Sequence, residues 1–198
     1  MLRPSPFRLL PLALLALCGC IEESTVPGEE VLGTFTLNAS PLPGNNCPAG
    51  EVPDGGFTFD GTLTRDRDGG RAYFIVSGFA RDAGFDGQRL DSVHRALAPG
   101  FARTCNAGCI VEAEETLRLL LLSRAQNEQY GKGRSCAELL DGGLPTDGGA
   151  TPPGTTKDSF DAVRACGSFV TQKLPDAGCT CSQCSVQFAV EGAPRTGN

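Results

Sequence analysis

Cysteine dominates the chemistry open to this chain of 198 residues, which holds ten cysteines and one histidine. Three cysteines fall in the run Cys179-Thr180-Cys181-Ser182-Gln183-Cys184, and two more bound Cys105-Asn106-Ala107-Gly108-Cys109. Thiolates this close together can wrap a zinc ion or an iron–sulfur cluster, with Cys136 or Cys166 as a further ligand. Cys181 and Cys184 have the C-x-x-C spacing of thiol redox proteins. Such a pair belongs at a helix N-terminus after a strand, and this one precedes a strand. The single histidine, His94, stands near Asp91 and Ser92. A Ser-His-Asp hydrolase needs the three side chains to converge beside an oxyanion hole, and the chain contains no G-x-S-x-G turn. Asp66-Arg67-Asp68-Gly69-Gly70 opens like a calcium loop, but the fifth place is Gly70 and the twelfth is Ser77 rather than Glu. Turn chemistry accounts for it more simply. Gly131-Lys132-Gly133-Arg134-Ser135 lacks the frame of a phosphate-binding loop. The residues therefore predict no catalytic, metal-binding or cofactor-binding set, and a protein that is not an enzyme. A hydrolase built on Ser92 and His94, or a thiol redox protein built on Cys181 and Cys184, is the alternative.

The N-terminus carries a different signal. Arg3 and Arg8 precede an apolar run from Leu9 to Leu17, broken by Pro11, and then Cys18-Gly19-Cys20-Ile21. The run is about half of the ~20 residues that span a bilayer, so it reads as the apolar region of a signal peptide. The sequence Leu17-Cys18-Gly19-Cys20 resembles the lipobox of bacterial lipoproteins: a leucine, a tolerant position, a small residue, then the cysteine that is acylated. Cys18 occupies the tolerant position, where Ala, Ser or Thr is more usual. The resemblance implies a signal peptide over residues 1–19, lipidation at Cys20, and a membrane partner reached through acyl chains. Each buried methylene contributes ~0.8 kcal/mol, so several chains together make attachment effectively permanent. Ile21, rather than Asp, follows the lipidated position. The resemblance thus implies a lipid-anchored protein of the bacterial envelope, at the outer membrane.

Loss of residues 1–19 removes Arg3 and Arg8 and leaves 15 basic against 23 acidic residues, a net charge of −8. No basic patch is present for nucleic acid. Eight cysteines remain beside Cys20: Cys47, Cys105, Cys109, Cys136, Cys166, Cys179, Cys181 and Cys184. An exported chain meets an oxidising compartment, where disulfides outcompete thiolate metal sites. An even number predicts four bridges, with connectivity open among about 105 pairings.

Elements to carry these residues read as mainly β. Residues 20–30 form a polar tether, and a single domain spans 31–190. Leu32 to Ala39 alternates, with Phe35 and Leu37 on one face and Thr34 and Thr36 on the other. Residues 56–81 predict a hairpin whose second strand is Arg71 to Arg81, and residues 89–98 predict another strand. Residues 110–126 have helical propensity but alternate in Leu117, Leu119 and Leu121, and the β-rich surroundings favour a strand. Residues 141–157 hold five Gly and three Pro and read as a flexible loop. Ser159 is placed to cap a short helix bearing Phe160, Val163, Cys166 and Val170. Cys184 to Val190 predicts the last strand, followed by a frayed tail, 191–198. The expected fold is a disulfide-stapled β-sandwich or small barrel with one short helix. Its expected role is that of a non-enzymatic binding or structural component with an unknown envelope protein or ligand as partner.

Overall fold

A computed structural model of the protein describes residues 26–48, 55–67, 71–99, 102, 105–142 and 162–195. The expected signal segment, Cys20, most of the 141–157 loop, Ser159 and Phe160 lie outside these residues. Eight strands follow in order: β1 (Glu30–Pro41), β2 (Phe57–Arg65), β3 (Ala72–Val76), β4 (Phe79–Phe85), β5 (Arg89–Leu97), β6 (Val111–Ser123), β7 (Ala162–Pro175) and β8 (Cys184–Pro194). Each pairs antiparallel with the next, and β8 pairs antiparallel with β1. The result is a closed up-and-down barrel.

The alternation of side chains decides which face turns inward. Leu32, Phe35, Leu37 and Ala39 of β1 are buried, and so are Leu117, Leu119 and Leu121 of β6, Val186, Phe188 and Val190 of β8, and Phe74 of β3. The outer face of β1 and β2 is a polar ladder. Thr34 meets Thr62 at 3.2 Å, Thr36 donates to Asp60, and Thr58 donates to Asn38. Ion pairs Asp91–Arg118, Arg95–Glu114 and Arg195–Asp60 continue that face. A polar and charged outer face differs from that of a membrane-spanning barrel, whose outward band is apolar.

Residues 111–123 form a strand, as the alternation of leucines predicts, and the chain turns helical only after Ser123. Its hydroxyl and the Gln126 side chain cap each other across a short helical turn, α1 (Arg124–Gln126). Three sequence expectations are corrected. The segment expected to be helical around Val163, Cys166 and Val170 is β7. Its inward row, Ala165, Gly167, Phe169, Thr171 and Lys173, stands opposite the inward row of β6 from Leu121 to Ala113. The helix lies earlier, as α2 (Cys136–Gly142), with Ser135 and Glu138 bonded as a capping box. Those bonds from Ser135 hold the Glu138 carboxyl below its ordinary pKa. The second correction divides the expected strand Arg71 to Arg81 in two at Ser77-Gly78, where both residues take positive φ, 52° and 81°. That pair of conformations matches the twist of a two-residue hairpin. Third, β8 runs four residues beyond Val190, and Arg195 still donates its amide to the Thr34 carbonyl.

All eight expected cysteines are bonded: Cys47–Cys184, Cys105–Cys181, Cys109–Cys179 and Cys136–Cys166. The last ties α2 to the outside of β7 over a small second core of Leu120, Leu122 and Leu139. The other three tie together the loops at the end of the barrel where β1 finishes. The opposite end is packed with Leu32, Leu63, Ala72, Leu90 and Leu121, and there the Arg65–Glu30 ion pair joins β1 to β2 at 2.7 Å.

Gly167 shows how tightly β6 and β7 approach. A β-carbon there would fall on the Arg118 carbonyl, a backbone group that cannot swing aside. Gly167→Ala is expected to lower stability by about 3 kcal/mol, read as a fall in the urea midpoint. Gly55→Ala, with open space around it, is the neutral control.

Candidate binding cavity

The residues of the two alternative chemistries, hydrolase and thiol redox, are not brought together. Ser92 and His94 do share the inward face of β5, while Asp91 points outward and pairs with Arg118 at 3.2 Å. The Ser92 hydroxyl, on a residue only 3% exposed, donates to the Asp82 carbonyl at 2.8 Å. Register pairing between β4 and β5 is confined to Gly84 opposite Asp91 and Phe85 opposite Leu90. The serine thus supplies a bond to β4 beyond the short ladder, and its proton is committed to structure. The thiols likewise separate. Cys181 is bonded to Cys105 and Cys184 to Cys47, so the C-x-x-C pair does not form an internal disulfide.

The sulfurs of Cys105, Cys109 and Cys181 nevertheless lie within 4.8 Å of one another. Cys109 and Cys181 sulfurs are 4.0 Å apart. Both belong to disulfides and carry no proton, so the approach is a van der Waals contact between two neighbouring bridges. Metal binding would require four thiolates and hence reduction of both. Asn106 reinforces the same junction by accepting from the Thr180 amide at 2.9 Å. At Asp66, the expected turn is closed by the Asp66 amide donating to the Arg71 carbonyl, and the Asp66 carboxylate accepts from Tyr73.

What the fold builds instead is a cavity of about 220 Å³ inside the barrel, toward the disulfide-braced end. Phe57 and Phe59 of β2, Phe74 and Val76 of β3, and Leu117 and Phe169 of β6 and β7 form its walls. The rings are in contact: Phe57 meets Phe169 edge-on at 6.1 Å, and Phe59 meets Phe74 edge-on at 6.5 Å. Such pairs add ~0.5–1.5 kcal/mol each to the area they bury. Room for Phe74 comes from Gly61 on the neighbouring strand, where a β-carbon would strike the ring. Phe57, Phe59, Val76 and Phe169 are only partly buried. Phe79, 75% exposed at the β3–β4 turn, stands beside them at the rim.

One ion pair lies among these rings. Arg81 of β4 reaches past β5 to Glu115 of β6, with Nη2 and Oε2 2.7 Å apart. Arg81 is brought to the interior by the Ser77-Gly78 turn, which sets it opposite Phe74. Neither residue was legible as a site residue. Their only sequence signal is a charged residue at an inward position, and that needs the register. Lys173, Thr171 and His94 complete a polar inward row on β5 and β7 at the same end.

A larger recess of about 480 Å³ lies outside the barrel, between β8, β1 and the segment from Asn127 to Cys136. Its charged residues, Arg164 and Glu191, are paired at 2.7 Å, and Arg164 also donates to the Gly131 and Arg134 carbonyls. Those groups are occupied with holding the helical segment, so the inner cavity is the better candidate.

No protein-family model matches the chain, and no curated protein or solved structure shows significant similarity to it.

If Ser92 is structural, Ser92→Ala leaves the Asp82 carbonyl without its hydroxyl donor. A loss of about 1–2 kcal/mol in unfolding free energy is expected, measured by chemical denaturation. Faster amide exchange should be confined to β4 and β5.

Proposed function

We propose that the chain is a lipid-anchored, non-enzymatic binding protein of the bacterial cell envelope, held at the outer membrane through Cys20. The aromatic cavity carries the binding part of this reading. An eight-stranded barrel has an interior just wide enough either to be filled by side chains or to hold one small ligand. This one is filled at the end where β1 begins and hollow at the other. A concave, mostly apolar site with a few convergent polar groups is the usual form of a small-molecule site. The three bridges around the hollow end favour a site that exists before its ligand arrives, which lowers the ordering cost of binding.

The anchoring part rests on the lipobox, supported by the eight paired cysteines. Cleavage before Cys20 leaves every thiol of the mature chain bonded or acylated, which suits an oxidising compartment. The polar exterior favours a barrel attached to a membrane rather than spanning it.

Two measurements test the parts separately. The intact mass of detergent-extracted protein should match residues 20–198 plus acyl groups, with eight cysteines alkylated only after reduction. An unlipidated mass would end the membrane assignment, and native free thiols would reopen metal and redox chemistry. For the cavity, saturation-transfer NMR with toluene on the full chain in lipid nanodiscs should give a signal that falls at least about fivefold in Val76→Trp, which fills the space. Equal signals in both, with the fold of the variant intact by circular dichroism, would remove the binding reading.

A further inference from the structure

We propose that the neighbouring bridges Cys105–Cys181 and Cys109–Cys179 form a stoichiometric thiol-exchange site for a small thiol. Opening of either bridge lets the two inner sulfurs re-pair as Cys109–Cys181. The chemistry lies on the loops and does not depend on what the cavity holds.

Access sets these two bridges apart. Disulfides exchange when a thiolate attacks one sulfur and expels the other as a thiolate. One sulfur has to be reached and its partner has to leave. In Cys136–Cys166, Cys166 is fully buried against Leu120, Leu122 and Leu139. In Cys47–Cys184, Cys184 is only 3% exposed. Each of those bridges therefore offers an incoming thiol one cysteine only. Expulsion of Cys166 would also strand a charge in an apolar core, which is costly. Cys105, Cys109, Cys179 and Cys181 are all partly exposed, on loops with exposed neighbours. Either partner of either bridge can be reached, and either can leave toward water.

Proximity then gives the expelled thiolate a second target. The sulfurs of Cys109 and Cys181 belong to different bridges and lie 4.0 Å apart. With Cys105 they make the one group of three cysteine sulfurs within 4.8 Å of one another among the described residues. The contact covers the inner sulfurs on one side, which leaves Cys105 and Cys179 the readier targets. A thiolate attacking Cys105 forms a mixed disulfide there, breaks Cys105–Cys181 and leaves the electron pair on Cys181. Cys181 then bonds to Cys109, and the Cys109–Cys179 bond breaks. Cys179 carries the pair away and takes a proton from water. Attack at Cys179 runs the same course through Cys109 to Cys181 and releases Cys105. Both routes end with Cys109–Cys181 bonded, one outer cysteine joined to the small thiol and the other a free thiol. The small thiol is the only co-reactant. In a lone bridge the expelled thiolate meets only the mixed disulfide it has just left, and closing again releases the small thiol.

The two loops stay together while this happens. Asn106 accepts from the Thr180 amide at 2.9 Å, and its own amide donates to the Thr180 hydroxyl at 3.1 Å. That clasp lies between Cys105 and Cys109 on one loop and between Cys179 and Cys181 on the other. Reactants held in this way meet at an effective concentration far above that in solution.

The test exposes the full chain in lipid nanodiscs to reduced glutathione, stops exchange with acid, blocks free thiols with N-ethylmaleimide and maps the linked peptides by mass. Glutathione is expected on Cys105 and Cys179 at a level at least about tenfold above that on Cys47 or Cys136. A Cys109–Cys181 peptide pair should appear with it. The double variant Cys109→Ala, Cys179→Ala removes the second target. It should carry about tenfold less glutathione on Cys105, because Cys181 then closes back on Cys105. The double variant Cys136→Ala, Cys166→Ala should leave the pattern on the loops unchanged. Glutathione spread evenly over the four bridges, or absent from the folded chain, overturns the inference. So does glutathione on Cys105 or Cys179 without the Cys109–Cys181 product. The native map alone decides the matter if either variant fails to fold.

Discussion

Pairing of β8 with β1 is the constraint on which the rest of the molecule depends. Eight strands of five to fourteen residues could form an open twisted sheet with two exposed edges. Closure removes the edges and at the same time fixes the interior radius. Once the radius is fixed, side-chain volume has to be distributed along the axis. The end near Leu32 and Leu121 receives bulky aliphatic residues and seals. The other receives rings, with glycine at 61 making room for Phe74, and the rings stand apart enough to leave a space. Gly192 likewise makes room for Leu37 on the adjacent strand. Cavity and core are thus two outcomes of one packing problem.

The bridges act on the same problem from outside. Long loops between strands would leave the hollow end poorly determined. Bridges joining residues 137, 76 and 70 apart in sequence couple the β1–β2 loop to β8, and the β5–β6 loop to the β7–β8 loop. Closing loops of such length removes several kcal/mol of freedom from the unfolded chain in the entropic account. The wall between β4 and β5 has only a short ladder, and there the Ser92 hydroxyl and the Arg81–Glu115 pair span the gap.

Much of the architecture was legible in the sequence because period-two burial leaves a strong mark. Phe35 and Leu37 against Thr34 and Thr36, and the leucines at 117, 119 and 121, are inward and outward as alternation requires. Where reading failed, two segments misled. Ser77 lacks the turn preference of Asn or Asp, so the Ser77-Gly78 hairpin passed for strand. An unbroken strand would put Arg81 on the face opposite Phe74, whereas the turn reverses the count and places both inside. In β7, Gly167 and Lys173 blur the apolar row, and Cys166 and Val170 share the outer face of a strand as readily as one side of a helix. Ser135 followed by Glu138 was the available sign of α2. Disulfide partners were invisible, because only the barrel brings Cys47 to Cys184 or Cys109 to Cys179.

The chain joins β1 at the sealed end, and residue 20 lies ten residues before Glu30. An extended segment of that length reaches roughly 33–36 Å. Acyl chains at Cys20 would therefore suspend the barrel by its base, with the aromatic opening turned toward the water. Anchored in that way, as proposed, the barrel would sample solutes that diffuse past the membrane rather than lipids within it. Drawing a guest from the bilayer would require the whole barrel to topple about its leash.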